Sequence, residues 1–317
     1  RRGSMSNVLI LNEAQVRELL QPAELFAALE SALRELSAGR TSAPPRVAAI
    51  TPSGLLAAMP GYVPNAGLAI KLVSVYSGNE ARGLPSHQAV IGLFDIEDGH
   101  LLALMDGTSI TAIRTATTAA VAARAAARAD SHVLALLGAG VQGSAHLDAF
   151  ARVFDLREVR IASRNRERAE ALASRDARGV VSDTFEDAVR GADIVCCCTD
   201  SATPVIRRDW LSEGAHVGSV GMGAELDGAT LDAATIFVEW RGAVTSPPPA
   251  GSVELQDRDP NGVTELGEVL AGSRPGRTSR AELTVYKSTG HAAEDVAAAA
   301  LVYERARAAG VGTLAEL

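Results

Sequence analysis

Apolar residues recur at helical spacing between Asn12 and Leu36, at Val16, Leu19, Leu20, Leu25, Ala28, Leu29 and Leu33, and Pro22 divides the run into two helices. Beyond the polar, proline-bearing residues 40–45 the pattern shortens. Runs at 47–51, 55–59, 68–75 and 90–95, separated by Gly, Pro and Asn, predict the strands of a mixed or antiparallel sheet. Helix formers return from Thr108 to Ala129 and stop at Asp130-Ser131.

The rhythm then changes. Short apolar strands at 132–137, 158–162, 179–182, 192–199, 216–220 and 235–239 alternate with helices that start at Val141, Arg166 and Phe185, the pattern of a parallel sheet covered by helices on both faces. The change places a domain boundary near Thr118. Residues 243–279, rich in Pro, Gly and charge, read as a surface excursion with one short helical segment at 264–271. A last helix over 292–309 carries enough alanine and apolar positions to pack back on the first domain. There is no internal repeat.

A chain of 317 residues suits two domains, and residues Arg1 to Ser4 ahead of Met5 read as a cloning remnant. Hydrophobic residues make up 47% and charged residues 21%, which excludes a disordered chain. The net charge of -8, with no basic stripe, argues against nucleic acid and for a small-molecule partner. The three cysteines, Cys196, Cys197 and Cys198, are consecutive; neighbours on a strand point to opposite faces, so they read as core thiols rather than a disulfide framework or metal ligands. The first apolar stretch, 8–11, is too short for a signal peptide or a membrane span, and Arg124 and Arg128 interrupt the alanine-rich run 116–129. A cytoplasmic, reducing location with no membrane partner is expected.

The strand ending at Leu137 runs into Gly138-Ala139-Gly140-Val141-Gln142-Gly143 and a helix. In a dinucleotide-binding turn the first glycine permits the tight turn, the second lets backbone approach the pyrophosphate, and the third lets helix pack on strand. Gly138, Gly140 and Gly143 fit these places, and the helix that follows offers free N–H groups and a positive dipole end to phosphate. Strand before, helix after and alternating units beyond supply the context that three glycines alone lack. After the second strand come Ser163-Arg164-Asn165, with no carboxylate for the ribose hydroxyls. A hydroxyl, a guanidinium and an amide suit a 2′-phosphate, so NADP(H) is preferred and NAD(H) possible.

Lys71 lies within Leu68-Ala69-Ile70-Lys71-Leu72-Val73, and a lysine is rarely buried without a partner or a task. Burial would lower its pKa into the range of a general acid near neutrality; the alternative is a snorkelling edge-strand lysine. His87 and His291 are weaker titratable candidates, no His, Cys and Asp residues have metal-ligand spacing, and no Gly-x-Ser-x-Gly elbow occurs.

Together with Met59-Pro60-Gly61, Asn79 with Gly83-Leu84-Pro85, Thr111 through Thr115, Ala192 through Val195, Thr264 through Gly267, Lys287-Ser288 and Glu294-Asp295, these motifs span nearly the whole chain. The sequence resembles the ornithine cyclodeaminase and mu-crystallin family. The resemblance implies a homodimer with a Rossmann-type doubly wound dinucleotide domain, 119–291, inserted into an α+β substrate-binding and dimerisation domain, 5–118 plus 292–317. It implies an amino or imino acid substrate whose carboxylate is held by Arg46, Lys71 and Arg114. It also implies cofactor contacts from Arg114, Thr115, Thr199, Val220, Lys287 and Ser288 beside the turn residues.

Departures from the family narrow the reaction. Where ornithine cyclodeaminases place a glutamate for the distal amine, this chain has Leu56-Ala57-Ala58. Where they carry an aspartate after the fifth strand, it reads Gly221-Met222-Gly223-Ala224-Glu225-Leu226-Asp227, and Glu225 or Asp227 could substitute only by a local shift. The expectation is therefore an NAD(P)H-dependent reductase of a 2-imino or cyclic ketimine carboxylate. A cyclodeaminase or alanine-type amino acid dehydrogenase is the runner-up, and a non-catalytic binder of NADPH and a small carboxylate is the third reading.

Overall fold

The structure, a computed structural model, describes residues 7–316; the leader Arg1 to Ser4 lies outside the described residues. The first elements are β1 (Asn7–Leu11), α1 (Glu13–Leu19), α2 (Pro22–Ser37), β2 (Val47–Thr51), β3 (Gly54–Val63), β4 (Gly67–Val75), β5 (His87–Phe94), β6 (Leu101–Asp106) and α3 (Gly107–Ala126). Then follow β7 (Val133–Leu137), α4 (Val141–Val153), β8 (Glu158–Ala162), α5 (Arg166–Ala173), β9 (Gly179–Val181), α6 (Phe185–Val189), β10 (Ile194–Cys197), β11 (His216–Ser219), α7 (Gly228–Ala233) and β12 (Thr235–Val238). The chain ends with α8 (Gly242–Thr245), β13 (Val263–Glu265), α9 (Leu266–Leu270), β14 (Thr284–Lys287), α10 (Ala292–Ala309) and β15 (Thr313–Glu316). It divides into two compact units, one taking the chain to Arg114 and resuming at His291, the other running from Thr115 to Gly290.

The first unit holds a seven-stranded mixed sheet in the order β15-β1-β6-β5-β4-β3-β2. β1 pairs parallel with β6, and every other pairing is antiparallel. Side chains alternate across the pleat, so Ala57, Met59 and Val63 of β3, Ala69, Lys71 and Val73 of β4, and Ile91 and Leu93 of β5 share the buried face. The alanines of α10 let that helix lie close on this face, with Val296 and Val302 in one core beside Leu25 and Leu29 of α2. On the opposite face Leu56, Leu72 and Val90 remain exposed. The apolar pattern had signalled four strands here. β1, β6 and the terminal β15 are short additions at the other end of the sheet, and their pairing follows from the fold rather than from local periodicity.

The second unit is α/β, with an eight-stranded, wholly parallel sheet in the order β13-β12-β14-β11-β10-β7-β8-β9. The central strands β7 and β10 are apolar throughout because both faces are covered, as the complete burial of Leu134, Ala135, Leu136 and Leu137 shows. Chain order reverses between the neighbours β7 and β10, the switch point at whose carboxyl end a doubly wound sheet opens its crevice. Cys196 and Cys197 lie inside, and burial raises both thiols.

Residues 243–279 are not the surface excursion that their composition suggests. Leu255 is fully buried, Ser252 is nearly so, and β13 adds an edge to the sheet before α9 begins. Gly and Pro bend this segment, but its few apolar side chains reach the core that includes Val244, Leu255 and Val263.

His146, on α4, is buried and its Nδ1 donates to the Gln142 carbonyl at 2.8 Å, while burial lowers its pKa from 6.5 to about 4. The stability that depends on neutral His146 is complete above pH 6.5 and is lost as pH falls towards 4, because the unfolded chain takes up a proton that the folded chain refuses. Urea unfolding at pH 7 and at pH 4.5 should therefore differ less in His146→Asn than in the parent protein, by about 2 kcal/mol. Equal pH dependence in both would show that His146 titrates normally.

Candidate active site

Register places Lys71 at the centre of the buried face of the first sheet, opposite Met59 on β3 and Ile91 on β5. Its ammonium is 2% exposed and pairs with Asp295 Oδ2 at 2.7 Å. Arg114, on α3 and 3% exposed, donates from Nε to Asp295 Oδ1 at 3.0 Å and from Nη1 to Glu294 Oε2 at 3.2 Å. The two acids sit in the first turn of α10, whose N-cap is His291 and whose capping box is closed by Glu294 accepting from the His291 N–H at 2.7 Å. A helix N-terminus favours negative charge, so the last helix delivers two carboxylates to the sheet in the place where its dipole supports them.

Burial lowers the Lys71 pKa from 10.5 to about 8; the Asp295 charge opposes this, and the nearby Arg114 and Arg46 charges add to it. Burial raises the Asp295 carboxyl, yet the Arg114 and Lys71 charges together hold it below its ordinary value. Arg46, half-buried ahead of β2, thus belongs to the same electrostatic group. Lys71, Arg114 and Arg46 act on one another's charge here, and such a group of cations suits a carboxylate ligand. The structure brings all three expected cations together. Asp295 and Glu294 had been noted only as part of a motif, although an acid pair opening an alanine helix is a visible signal.

In the second unit Gly138 closes β7 with φ +107°, and a Cβ there would lie 2.4 Å from the Cys198 carbonyl oxygen. A Cβ on Gly143 would meet the Gly138 carbonyl oxygen at 2.1 Å. Gly140, the N-cap of α4, has open space on its Cβ side and no side-chain cap, so the first N–H groups of the helix face that opening. Val141 is exposed, and Gln142 Oε1 is buried without a hydrogen-bond partner. Tight turn, open second glycine and uncapped helix fit a pyrophosphate. At the end of β8, Ser163 Oγ accepts from Asn165 N, Asn165 caps α5, and Arg164 stands exposed.

The other expected cofactor residues enter an internal network. Glu225 is fully buried and accepts from Thr199 N at 2.8 Å, Thr199 Oγ1 at 2.6 Å, Ser219 Oγ at 2.7 Å and Gly221 N at 2.8 Å. Lys287 donates to Ser219 Oγ at 2.9 Å and the Gly221 carbonyl at 2.8 Å, and pairs with Glu254 at 2.7 Å. Ser288 donates to Glu239. Val220 is half-buried and Thr115 is buried. The polar groups of Thr199, Lys287 and Ser288 thus hold the turns at the carboxyl ends of β10, β11 and β14. Asp227 caps α7 through Thr230 N at 3.0 Å, and the Glu225 carboxylate is taken up by its four donors.

Lys287 carried a signal that local reading overlooked: lysine occurs only twice among 30 basic residues, at 71 and 287, and both are buried against an acid. The absence of metal-ligand spacing also needs correction, because Asp95, Asp98 and His100 gather their ligand atoms within 4.8 Å in the turn between β5 and β6. That trio is engaged in the turn itself, Asp95 Oδ1 accepting from Glu97 N and Asp98 N. Among the described residues, no helix is long and apolar enough to cross a membrane.

The ornithine cyclodeaminase/mu-crystallin family matches residues 6–310 of the chain. The ketimine reductase mu-crystallin of Mus musculus is 40% identical over 257 residues, 79% of this chain and 80% of that protein. The alanine dehydrogenase of Archaeoglobus fulgidus is 34% identical over 319 residues, 96% of this chain and 97% of its own length. Among solved structures, the Thermococcus litoralis Delta(1)-pyrroline-2-carboxylate reductase in complex with NADH and L-proline superimposes with a TM-score of 0.91 at 32% identity, covering 96% of this chain and 99% of that one.

The glycines of the turn should separate on substitution. Gly143→Ala forces a Cβ against backbone and should lower thermal stability by several degrees, whereas Gly140→Ala should fold normally and lose dinucleotide affinity at least tenfold. Thermal melts and fluorescence titration with NADH and NADPH check both; a Gly140→Ala protein with undiminished affinity would remove this turn from the cofactor site.

Proposed function

The chain belongs to the ornithine cyclodeaminase/mu-crystallin family, and we propose that it is an NAD(P)H-dependent reductase of 2-imino or cyclic ketimine carboxylates. The observation that carries this reading is the buried Lys71 ammonium, held by Asp295 beside Arg114 and within the influence of Arg46. Arg46 and Arg114 bind the substrate carboxylate. When bound, the reduced nicotinamide supplies a hydride to the α carbon. The electron pair of the C=N bond moves to nitrogen, which takes its proton from Lys71, and the lysine regains one from solvent. A pKa of about 8 keeps most of the lysine charged at neutrality while leaving it a competent acid.

The relatives support hydride chemistry between an α carbon and nitrogen, as the names ketimine reductase, alanine dehydrogenase and pyrroline-2-carboxylate reductase indicate. Two features favour reduction over ornithine cyclisation: Ala57, on the Lys71 face, falls in the stretch where ornithine cyclodeaminases place a glutamate, and Glu225 is taken up by hydrogen bonds within the fold. Domain roles follow the same reading, with residues 5–118 and 292–317 binding substrate and 119–291 binding dinucleotide. NADP(H) is favoured over NAD(H), since Arg164 is exposed at the end of β8 with no carboxylate beside it in sequence. The exposed apolar face of Leu56, Leu72 and Val90 supports a homodimer.

Two measurements test this. Nicotinamide absorbance should fall with cyclic ketimine and 2-imino acids, and Lys71→Ala should abolish that turnover, a loss of at least a hundredfold, with cofactor affinity intact. Turnover of ornithine without net cofactor change would overturn the reaction assignment, and tight NADPH binding without any turnover would favour a binder. Arg164→Ala should weaken NADPH tenfold or more and NADH little; equal effects on both would sink the cofactor preference.

A further inference from the structure

Lys71 is surrounded by apolar side chains within its own sheet, Met59 and Ile91 flanking it across β3 and β5. The charges that act on it come from other elements: Asp295 on α10, Arg114 on α3, and Arg46 ahead of β2, with Glu294 of α10 bound to Arg114 beside them. Asp295 touches both Lys71, at 2.7 Å, and Arg114, at 3.0 Å, one carboxylate oxygen to each. Glu294 is bound to Arg114 and to the helix cap, not to the lysine, among the contacts described.

We propose that Asp295 is a positioning residue for the imine reduction: one carboxylate fixes the proton donor Lys71 against the carboxylate-binding Arg114 and keeps the lysine charged until the substrate nitrogen takes its proton. This rests on the function proposed above. The physical argument is one of opposing terms. An ammonium buried among methionine, isoleucine and alanine, with two guanidiniums nearby, would be neutral at physiological pH without an anion in contact. The carboxylate must itself be held charged in a buried place, and the Arg114 fork together with the first turn of α10 does this. Geometry and protonation state therefore have a common origin in one side chain that touches two functional cations.

The chain's two lysines make the test direct. With lysine isotopically labelled, the side-chain NMR spectrum holds two lysine signals, and Lys287 serves as an internal reference. In Asp295→Asn the Lys71 midpoint should fall by at least one pH unit relative to the parent, in the absence of substrate, with Lys287 unmoved; Asp295→Glu should restore most of it. Arg114→Gln should move Lys71 the opposite way, upward, and stands in if the Asn variant does not fold. In NADPH oxidation with a cyclic ketimine carboxylate, the alkaline limb of kcat should move down with the lysine, so that Asp295→Asn loses about fivefold or more at pH 8 and recovers much of it at pH 6. An unmoved Lys71 midpoint in Asp295→Asn, an unchanged or lowered one in Arg114→Gln, or a kcat loss equal at all pH values would overturn the proposal. Parent protein that shows the Lys71 shift yet reduces no ketimine would count against the function reading alone.

Discussion

The first unit turns on the buried ion cluster of Lys71, Asp295, Arg114 and Glu294. Each member alone would be an unaffordable charge in an apolar layer, and removing one would leave its neighbour uncompensated, which typically destabilises a protein by about 3–5 kcal/mol. The cluster also fixes where α10 lies on the sheet, because the carboxylates occupy its first turn while Val296 and the alanines beyond fill the core. A helix that is half alanine has little side-chain bulk with which to choose its register, so the charges at its start specify what packing alone leaves loose.

The second unit uses the same kind of device. Glu225 gathers four donors from the segments that follow β10 and β11, and Lys287 closes the arrangement against Glu254 and the Gly221 carbonyl. Turns at the carboxyl ends of parallel strands are where a doubly wound sheet binds its ligand, and they must be rigid to present backbone groups to it. Buried acids with backbone and hydroxyl donors supply that rigidity. Thr199 and Lys287, expected as cofactor contacts, also hold the turn from within through these hydrogen bonds.

Much of the second unit was legible locally. Parallel strands buried on both faces are mostly apolar, so β7, β8, β10, β11 and β12 announced themselves as short apolar runs between helices, and the glycine turn followed from strand, spacing and helix start. β13, inside the Pro- and Gly-rich segment, and β14, just beyond it, were not seen, since a strand of three or four residues has too few positions to show any period. The same blindness made residues 243–279 look superficial, although Leu255 and Ser252 are buried. Lys71 was conspicuous because charge in an apolar strand is costly and therefore informative. Asp295, 224 positions further along, was not tied to it, because acids at the start of a helix are ordinary capping residues until something lies opposite them.

What the amino-acid order determined by itself was whatever depends on neighbours in the chain: helix and strand periods, the glycine turn, and the conspicuous place of Lys71 between apolar flanks. Tertiary structure decided the pairing of charges, placing Asp295 and Arg114 around that lysine and directing Glu225 and Lys287 into the support of turns. The reason is physical: backbone conformation is chosen by local sterics and hydrogen bonding, whereas the state of a buried charge depends on which distant charge the fold brings within about 3 Å of it.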